Sequence, residues 1–339
     1  MAEPILIWGA GAIGGTFGAT LKRAGEDVTF VDLVADHVAA IRDPARGLGI
    51  TGPVDPMVVV APAFTPNEVT GTWKRIFLAV KAHHTEQAAR ALLPHLAEDG
   101  YVVSLQNGLC EDIIAGVVGR ERTMGAFINF GADWIGPGEI MYGNRAAVVV
   151  GELDGRITPR LEALHRLMQI FEPDAVLTED IWSYLWGKLG YASLLFAQGI
   201  CDLGIADTLE RPELLPLWRD LAGEVMNVAR AENVRPRGFN GFDPDAFGKD
   251  GSEQLAKSSV AAMVAFNRPN AKTHSGIWRD LAVRKRRTET DVQLVPIVVV
   301  GRKHGLACPK LAGLIGMIHE VEDGKRALSD RNLDELLAS

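Results

Sequence analysis

Six residues near the start of the chain have the types and spacing to bind the pyrophosphate of a dinucleotide. The apolar run Ile5–Trp8 is followed at once by a Gly-x-Gly-x-x-Gly motif, made of Gly9, Ala10, Gly11, Ala12, Ile13 and Gly14. The first glycine of such a motif turns the chain out of a strand, the second lets the pyrophosphate approach the backbone, and the third lets the helix pack against the sheet. The free N–H groups and the dipole of the helix N-terminus favour an anion. The motif therefore predicts a dinucleotide site.

An acidic residue after the second apolar run bears on the choice of dinucleotide. Asp32 follows Val28–Val31, at about the 20-residue distance that is typical of this motif. A carboxylate there accepts hydrogen bonds from the ribose hydroxyls of the adenosine and repels a 2′-phosphate. The position favours NAD over NADP. Lys22, Arg23 or Arg42 could still reach a 2′-phosphate, so NADP stays open.

Two polar side chains follow further apolar runs of the same region. Lys81 comes directly after Ile76–Val80, and Asn107 follows Tyr101–Leu105. Ligands of open α/β sheets bind outside the carboxyl ends of the strands, so the lysine could contact the cofactor or a substrate anion. The asparagine amide could bind the substrate or the nicotinamide. The alternatives are a solvated loop lysine and an ordinary Asn-Gly turn.

A second lysine lies within an apolar helical pattern, Ile181–Gly199. Ile181, Leu185, Lys188 and Ala192 share one face by their three- and four-residue spacing. A lysine that is buried among apolar side chains has a lowered pKa and becomes a usable proton donor near neutral pH. The alternative is a side chain that extends along the apolar surface and keeps its ammonium in water.

The elements that must position these residues change character along the chain. Short apolar runs alternate with helical patterns in the first half, which is typical of a parallel sheet covered by helices. Strand-like runs nearly vanish after about residue 178, and helical periodicity replaces them. We predict a Rossmann-like α/β domain over 1–177 and an all-helical domain over 178–339, with a hinge near Glu172–Thr178. The predicted strands are Ile5–Trp8, Val28–Val31, Met57–Val60, Arg75–Val80, Tyr101–Leu105, Thr123–Ile128, Glu139–Tyr142, Ala146–Val150 and Asp174–Leu177. The helices predicted for the second domain are Ile181–Gly199, Pro212–Glu232, Ser252–Phe266, Lys272–Trp278, Arg287–His304 and Pro309–Glu322.

Composition excludes several classes of protein. The chain has 339 residues, 47% apolar and 23% charged, with a net charge of −8, which argues against non-specific nucleic-acid binding. It has no apolar run of 18 residues and no recognisable leader, so we expect no membrane span and a cytoplasmic location. Cys110, Cys201 and Cys308 are far apart and odd in number, which indicates reduced thiols. Cys308 precedes a helix start that could acidify it; a buried structural thiol is the favoured interpretation.

Two other groups of ionisable residues are less specific. The run from His83 to Glu86 does not have the spacing of a zinc-binding helix, so no metal site is predicted. The basic run Arg279–Glu289 is typical of a solvated helix face. Glu289 within it could instead point towards a ligand.

Taken in order, these residues resemble the ketopantoate reductase (2-dehydropantoate 2-reductase) family over nearly the whole chain. The glycine motif is common to many families, whereas the ordered set with Trp-x-Lys-Leu and Arg-x-Thr-Glu is much more specific. The motifs that carry the resemblance are Gly9–Gly15, Val80–Ala82, Gln106–Gly108, Trp186–Leu189, Ser275–Asp280, Thr288–Asp291 and His304–Pro309.

The resemblance implies a Rossmann domain, an all-α domain like the C-terminal helical bundle of 6-phosphogluconate dehydrogenases, and an active site in the cleft between them. It implies reduction of a 2-oxo acid by a nicotinamide cofactor, usually NADPH. Lys188 then corresponds to the acid that protonates the developing alkoxide. Glu289 and Ser275 (or an immediate neighbour of Ser275) correspond to substrate-binding residues, and Lys81 and Asn107 lie at the cofactor and substrate edge.

The chain departs from the family pattern in three places. Ala192 and Phe196 stand where asparagines are usual, which predicts a pocket for a less hydroxylated substrate. Asp32 and Leu33 replace the usual basic residue after the second strand, in agreement with NAD. The segment Pro236–Gly251 is longer than usual and could reshape the mouth of the cleft.

We therefore predict an NAD(P)-dependent oxidoreductase of a small 2-oxo acid or alcohol, with ketopantoate as the leading single substrate. An NAD-dependent dehydrogenase of a different hydroxy acid or alcohol is the alternative enzyme. A catalytically silent NAD-binding sensor is the alternative outside the enzymes. The apolar surface of the helical domain leaves a homodimer open.

Overall fold

The computed structural model describes residues 3–339 and divides the chain into two compact units. The first unit extends to Ile181, and the second comprises Trp182–Ser339. The predicted succession of an α/β region and a helical region is confirmed. In chain order the strands are β1 (Ile5–Trp8), β2 (Val28–Val31), β3 (Leu48–Thr51), β4 (Met57–Val59), β5 (Ala63–Phe64), β6 (Trp73–Leu78), β7 (Leu96–Ser104), β8 (Thr123–Ile128), β9 (Gly131–Gly136), β10 (Glu139–Asn144), β11 (Val148–Glu152) and β12 (Val176–Leu177).

The main sheet of the first unit has eight strands in the order β12-β11-β8-β7-β6-β1-β2-β5. Every neighbouring pair is parallel except β8 with β11. Strand β1 lies between β2 and β6, so the chain leaves it first towards β2 and later towards β6. In doubly wound sheets such a reversal marks the place where ligands bind. The helices of this unit are α1 (Ala12–Arg23), α2 (Ala35–Arg42), α3 (Thr85–Leu92), α4 (Cys110–Val118) and α5 (Pro159–Phe171).

The sheet is buried on both faces, which explains why its strands are continuous apolar runs rather than alternating ones. Phe17, Phe30 and Phe77 belong to one fully buried cluster. Leu6 and Ile76 point to the opposite face and belong to the second cluster. The short apolar runs of the sequence therefore predicted every strand of this sheet except β5, and β7 begins five residues earlier than predicted.

A second, four-stranded sheet has the order β4-β3-β10-β9. The glycines around Pro137 turn the chain between β9 and β10, which pair antiparallel as a hairpin. The sequence did not predict β3, β5 or β9. Strand β3 pairs with β10 across about ninety residues of chain, and local apolar periodicity carries no information on such a pairing.

The second unit is helical. The predicted helix Arg287–His304 is divided at Leu294, because Pro296 has no N–H to continue the helical ladder. The predicted helix Lys272–Trp278 begins only at Gly276 and continues as a π-helix over Arg279–Val283. The helices are α6 (Ile181–Gln198), α7 (Ile205–Leu209), α8 (Leu215–Ala231), α9 (Glu253–Asn267), α10 (Gly276–Trp278), α11 (Thr290–Gln293), α12 (Val295–Lys303), α13 (Pro309–Glu322) and α14 (Arg331–Ala338).

Other sequence expectations concern thiols, membranes and metals. All three cysteines are free and buried. Burial, with a smaller contribution from the charge of Glu224, raises the pKa of the Cys308 thiol to about 11, which fits a structural residue. Within residues 3–339, none of the helices has both the length and the apolar composition to span a bilayer. The same residues contain no group of three or more His, Cys, Asp or Glu side chains placed to hold a metal ion.

Candidate functional site

The three motif glycines meet different surroundings at the carboxyl end of β1. Gly9 has a φ of +103°, and a Cβ there would lie 2.8 Å from the backbone of Ala79 and Val80. A Cβ on Gly14 would lie 2.1 Å from the carbonyl oxygen of Gly9. A Cβ on Gly11 would meet nothing within 4 Å. The outer glycines thus permit close backbone packing, and the middle one borders open space.

Open space at Gly11 is what a pyrophosphate needs to reach the first turn of α1. Gly11 is the N-cap residue of this helix, and its N-terminus has no side-chain cap. The first N–H groups of a helix have no intrahelical acceptor, so they are available to an anion. Gly11, Ala12 and Ile13 are half-buried, whereas Gly9 and Ala10 are buried. The residues present therefore fit a dinucleotide.

Two side chains that follow β2 hydrogen-bond to the backbone N–H and the carbonyl oxygen of Ala10. The backbone N–H of Ala10 donates to Asp32 Oδ2 at 2.9 Å, and Asp32 Oδ1 accepts the N–H of Val34 at 3.0 Å. The carbonyl oxygen of Ala10 lies 2.8 Å from Nε2 of His37. Each oxygen of the half-buried carboxylate keeps a lone pair for a further donor. Asp32 can therefore position the glycine turn and still accept a ribose hydroxyl.

His37 is a residue that the sequence reasoning missed. Its side chain is fully buried, and its Nδ1 accepts the backbone N–H of Gly138 at 2.8 Å. Because a backbone N–H can only donate, Nδ1 carries no proton, and Nε2–H donates to Ala10. The imidazole thus connects the glycine turn to the β9–β10 hairpin. A histidine inside an otherwise amphipathic α2 was the only local signal.

We expect His37→Ala to weaken NADH binding by about tenfold, because it leaves the carbonyl of Ala10 and the N–H of Gly138 without their partner. Fluorescence titration with NADH measures this effect. His37→Gln should recover much of the affinity, since an amide can donate to one group and accept from the other. A lower melting temperature with an unchanged Kd for NADH would show that His37 only stabilises the fold.

Lys81 and Asn107 follow neighbouring parallel strands, so they lie at the same edge of the sheet as the glycine turn. Lys81 immediately precedes the short 3₁₀ helix Ala82–His84 that follows β6, and Asn107 precedes α4. The side-chain amide of Gln106 donates to the carbonyl oxygen of Val80 at 2.9 Å and to Oγ1 of Thr85 at 2.8 Å. This buried glutamine ties the two turns together. The sequence motif contained Gln106, but only the contacts reveal what it does.

In the helical unit, Lys188 lies on a single half-exposed stripe of α6. Most of this apolar helix is buried. Trp182 in its first turn is partly accessible, and the other partly accessible residues are Tyr184, Lys188, Ala192 and Leu195. Their spacing of four, four and three residues places them on one side of the helix. Ile181 and Leu185, which the sequence placed on the lysine face, are fully buried.

The resemblance implies asparagine at two positions of α6, and these two positions differ in their exposure. Ala192 lies directly beside Lys188 on the stripe. Phe196 is 0% exposed, and it lies about 80° around the helix from Lys188. Leu195, rather than Phe196, continues the accessible side. Ala192 is therefore accessible from outside the helix, and a ligand contact there stays a prediction, whereas Phe196 belongs to the core.

Ser275 is placed at the other end of α6. Its backbone N–H donates to Oε1 of Gln198 at 3.1 Å, and its Oγ accepts the N–H of Trp278 at 3.1 Å as the cap of α10. Gln198 is ten residues from Lys188, roughly 15 Å along the helix axis. The structure thus shows a capping role for the Ser275 hydroxyl; its role in substrate binding stays a prediction.

Glu289 is 7% exposed and precedes α11. The preceding residue, Thr288, is anchored by Glu322, whose Oε1 accepts the Thr288 N–H at 2.7 Å and the Thr288 hydroxyl at 2.8 Å. Arg287 pairs with the same carboxylate at 3.0 Å. The end of α13 therefore fixes the turn that carries Glu289.

Two further arginines of the basic run, Arg284 and Arg286, are also paired. Asp280 is 2% exposed, and its Oδ1 accepts Arg284 at 3.1 Å and Arg286 at 3.0 Å. The run is therefore an ion-pair network of the helical unit rather than only a solvated helix face.

A parallel sheet with a dinucleotide-binding turn, followed by a helical unit with a lysine on an otherwise apolar stripe, defines the class of two-unit nicotinamide-dependent oxidoreductases. Two family profiles match this chain. The one described as "Ketopantoate reductase PanE/ApbA" covers residues 5–155, and the one described as "Ketopantoate reductase PanE/ApbA C terminal" covers 180–322. The chain belongs to the ketopantoate reductase family, whose members are NAD(P)-dependent oxidoreductases that act on CH–OH donors.

Individual relatives are distant but match over almost their full length. The 2-dehydropantoate 2-reductase of Archaeoglobus fulgidus is 28% identical over 95% of this chain and 99% of its own. A ternary structure of D-mandelate dehydrogenase with NADH and anilino(oxo)acetate has a TM-score of 0.83 at 22% identity, and covers 96% of this chain and 100% of that one. A ketopantoate reductase of Ralstonia eutropha JMP134 has a TM-score of 0.79 at 24% identity, over 95% and 99%. These structures confirm the predicted fold class.

Proposed function

We propose that this chain reduces a small 2-oxo acid to the 2-hydroxy acid with a nicotinamide cofactor, and that ketopantoate is the leading single substrate. The observation that carries the proposal is the position of Lys188 on the half-exposed stripe of α6. A cation there can reach a ligand, whereas the other side chains of that stripe cannot donate an ammonium proton. The full-length similarity to a 2-dehydropantoate 2-reductase supports the substrate class.

The bound nicotinamide would supply hydride to the carbonyl carbon of the substrate. In the helical unit, the Lys188 ammonium would hold the carbonyl oxygen and donate the proton that neutralises the developing alkoxide. Glu289 would contact the substrate or orient the lysine. In the sheet unit, the glycine turn and Asp32 would hold the dinucleotide, and Lys81 and Asn107 would contact cofactor or substrate.

We expect this chain to prefer NADH to NADPH. The carboxylate of Asp32 accepts two backbone N–H groups at the end of β2, so its charge is fixed where a 2′-phosphate would lie. Asp32→Asn should lower the ratio of kcat/KM for NADH to kcat/KM for NADPH by about tenfold, since it removes a charge repulsion of one to a few kcal/mol. Initial rates with each cofactor measure the ratio. An NADPH preference of the unmodified enzyme would contradict the assignment of Asp32.

A second substrate is favoured by the side chains beside Lys188. Ala192 and Leu195 offer no hydrogen-bond partner to a substrate hydroxyl, so a 2-oxo acid with an apolar side chain fits this stripe better than a hydroxylated one. Phenylglyoxylate is such a 2-oxo acid, and its reduction gives mandelate. The D-mandelate dehydrogenase structure has the same fold as this chain. The reverse reaction, oxidation of an apolar 2-hydroxy acid by NAD, belongs to the same proposal.

A panel of 2-oxo acids tests the proposal. Ketopantoate, 3-methyl-2-oxobutanoate and phenylglyoxylate would be offered with NADH and with NADPH, and oxidation of the cofactor followed at 340 nm (about the nicotinamide absorption maximum). Turnover of at least one acid is expected. If none oxidises either cofactor while NADH still binds, the proposal fails for these acids and the alternative of an NAD-binding sensor gains support. The homodimer stays a prediction, which sedimentation velocity would test.

A further inference from the structure

The loop between α8 and α9 packs against α6 beside Lys188. The backbone N–H of Arg237 donates to the carbonyl oxygen of Ser183 at 2.9 Å. A Cβ on Gly187 would lie 2.1 Å from the carbonyl oxygen of Arg237. The backbone of Arg237 therefore contacts α6 at Ser183 and at Gly187, which precede Lys188 by five residues and by one residue. Only a glycine at position 187 permits this approach, which holds the backbone of Arg237 against α6 next to the position of Lys188 in the sequence.

The side chain of Arg237 extends over the half-exposed stripe of α6. Its guanidinium lies 5.8 Å from the ring centroid of Tyr184, and Tyr184 is four residues before Lys188 on the same side of the helix. Arg237 is exposed, and its guanidinium has no carboxylate partner within 4.0 Å among residues 3–339. Its charge is thus available to a ligand.

The side chains along the stripe therefore change from charged to apolar. Along α6, Tyr184, whose ring lies under the guanidinium of Arg237, comes first, Lys188 follows one helical turn later, and Ala192 and Leu195 come after it. One turn is about 5.4 Å. A 2-oxo acid has the same order of groups, with a carboxylate, an adjacent carbonyl and then the side chain. A guanidinium can bind a carboxylate through two parallel hydrogen bonds.

We propose that Arg237 binds the carboxylate of the 2-oxo acid, and that Ala192 and Leu195 contact its apolar side chain. This inference rests on the proposed function, because it assigns Lys188 to the carbonyl oxygen. It makes the loop that follows α8 a determinant of specificity for an anionic, apolar substrate. The backbone contacts of residue 237 do not depend on its side chain, so substitution there should leave the fold intact.

The test compares an acid with its neutral analogue. Arg237→Gln should raise the KM for phenylglyoxylate about 10- to 100-fold, the usual effect of losing a hydrogen bond to a charged group. The KM for the primary amide of phenylglyoxylate should change less than about threefold, because the amide has no charge for the arginine to bind. Arg237→Lys, which keeps the charge but not the planar fork, should be intermediate.

Arg235→Gln is the matched control. The side chain of Arg235 belongs to the same loop, is 86% exposed and lies 3.8 Å from Asp245 rather than against α6. The kinetics of Arg235→Gln should therefore equal those of the unmodified enzyme. An equal rise in KM for acid and amide, or no rise at all, would overturn the assignment of Arg237.

Calorimetric titration of phenylglyoxylate into the NADH complex separates the two proposals. If the unmodified enzyme turns over no 2-oxo acid but binds phenylglyoxylate, and Arg237→Gln abolishes that binding, the proposed function fails while the carboxylate site stands. If turnover occurs and both enzymes bind phenylglyoxylate equally, the proposed function stands while the carboxylate site fails. Absence of both turnover and binding would exclude both.

Discussion

Lys188→Met is expected to lower kcat for 2-oxo acid reduction by about 10²- to 10⁴-fold, the usual contribution of a positioned general acid. Methionine keeps an unbranched apolar side chain of similar length but cannot donate a proton. The Kd for NADH should be unchanged, because the residues assigned to the dinucleotide belong to the sheet unit. Steady-state rates and fluorescence titration measure the two quantities.

Lys257→Met serves as the control for this substitution. Lys257 is an exposed helical lysine whose partner within residues 3–339 is Glu253 of its own helix, so its loss should leave kcat unchanged. If Lys188→Met and the unmodified enzyme have equal kcat, Lys188 is not the proton donor, and the extended, solvated lysine is the correct interpretation. A rise in KM alone would indicate that Lys188 binds substrate without donating the proton.

Gly14→Ala is expected to destabilise the sheet unit by about 3 kcal/mol and to abolish measurable NADH binding. The new Cβ would lie 2.1 Å from the carbonyl oxygen of Gly9, 2.8 Å from Cβ of Ala79 and 2.9 Å from Cγ2 of Ile7. All three neighbours belong to buried strands or to the turns that follow them, so α1 must shift from the sheet to accommodate the new Cβ. Thermal unfolding and NADH titration measure the change.

Two other glycines provide matched controls for the same substitution. Gly116 is exposed in the middle of α4, where a Cβ would meet nothing within 4 Å, so Gly116→Ala should stabilise the protein by about 0.5–1 kcal/mol. Gly11→Ala should leave stability unchanged and weaken NADH binding, because its Cβ enters open space next to the first turn of α1. If Gly14→Ala matches the unmodified enzyme in both stability and affinity, the packing role of Gly14 is wrong.

Features that depend on residues adjacent in the chain could be predicted from the amino-acid sequence. The glycine turn between β1 and α1, the acid after β2 and the order of strands and helices follow from local conformational demands and from apolar periodicity. Lys81, Asn107 and Lys188 could be singled out for the same reason: each stands at the end of a buried strand or within a buried helix, where a polar residue is conspicuous. Phe196 could not be assigned correctly, because a spacing of eight residues does not distinguish the accessible side of a helix from its buried neighbour.

Contacts between residues that are far apart in the chain became visible in the folded structure. The second sheet depends on β3 and β10, about ninety residues apart, and the fixed orientation of the Ala10 peptide depends on His37 and on a glycine a hundred residues beyond it. Arg237 lies in a segment that reads as an ordinary loop, yet its backbone packs against α6 because Gly187 leaves room for it. Such contacts arise when the chain buries its apolar surface, and no local pattern of residue types encodes them.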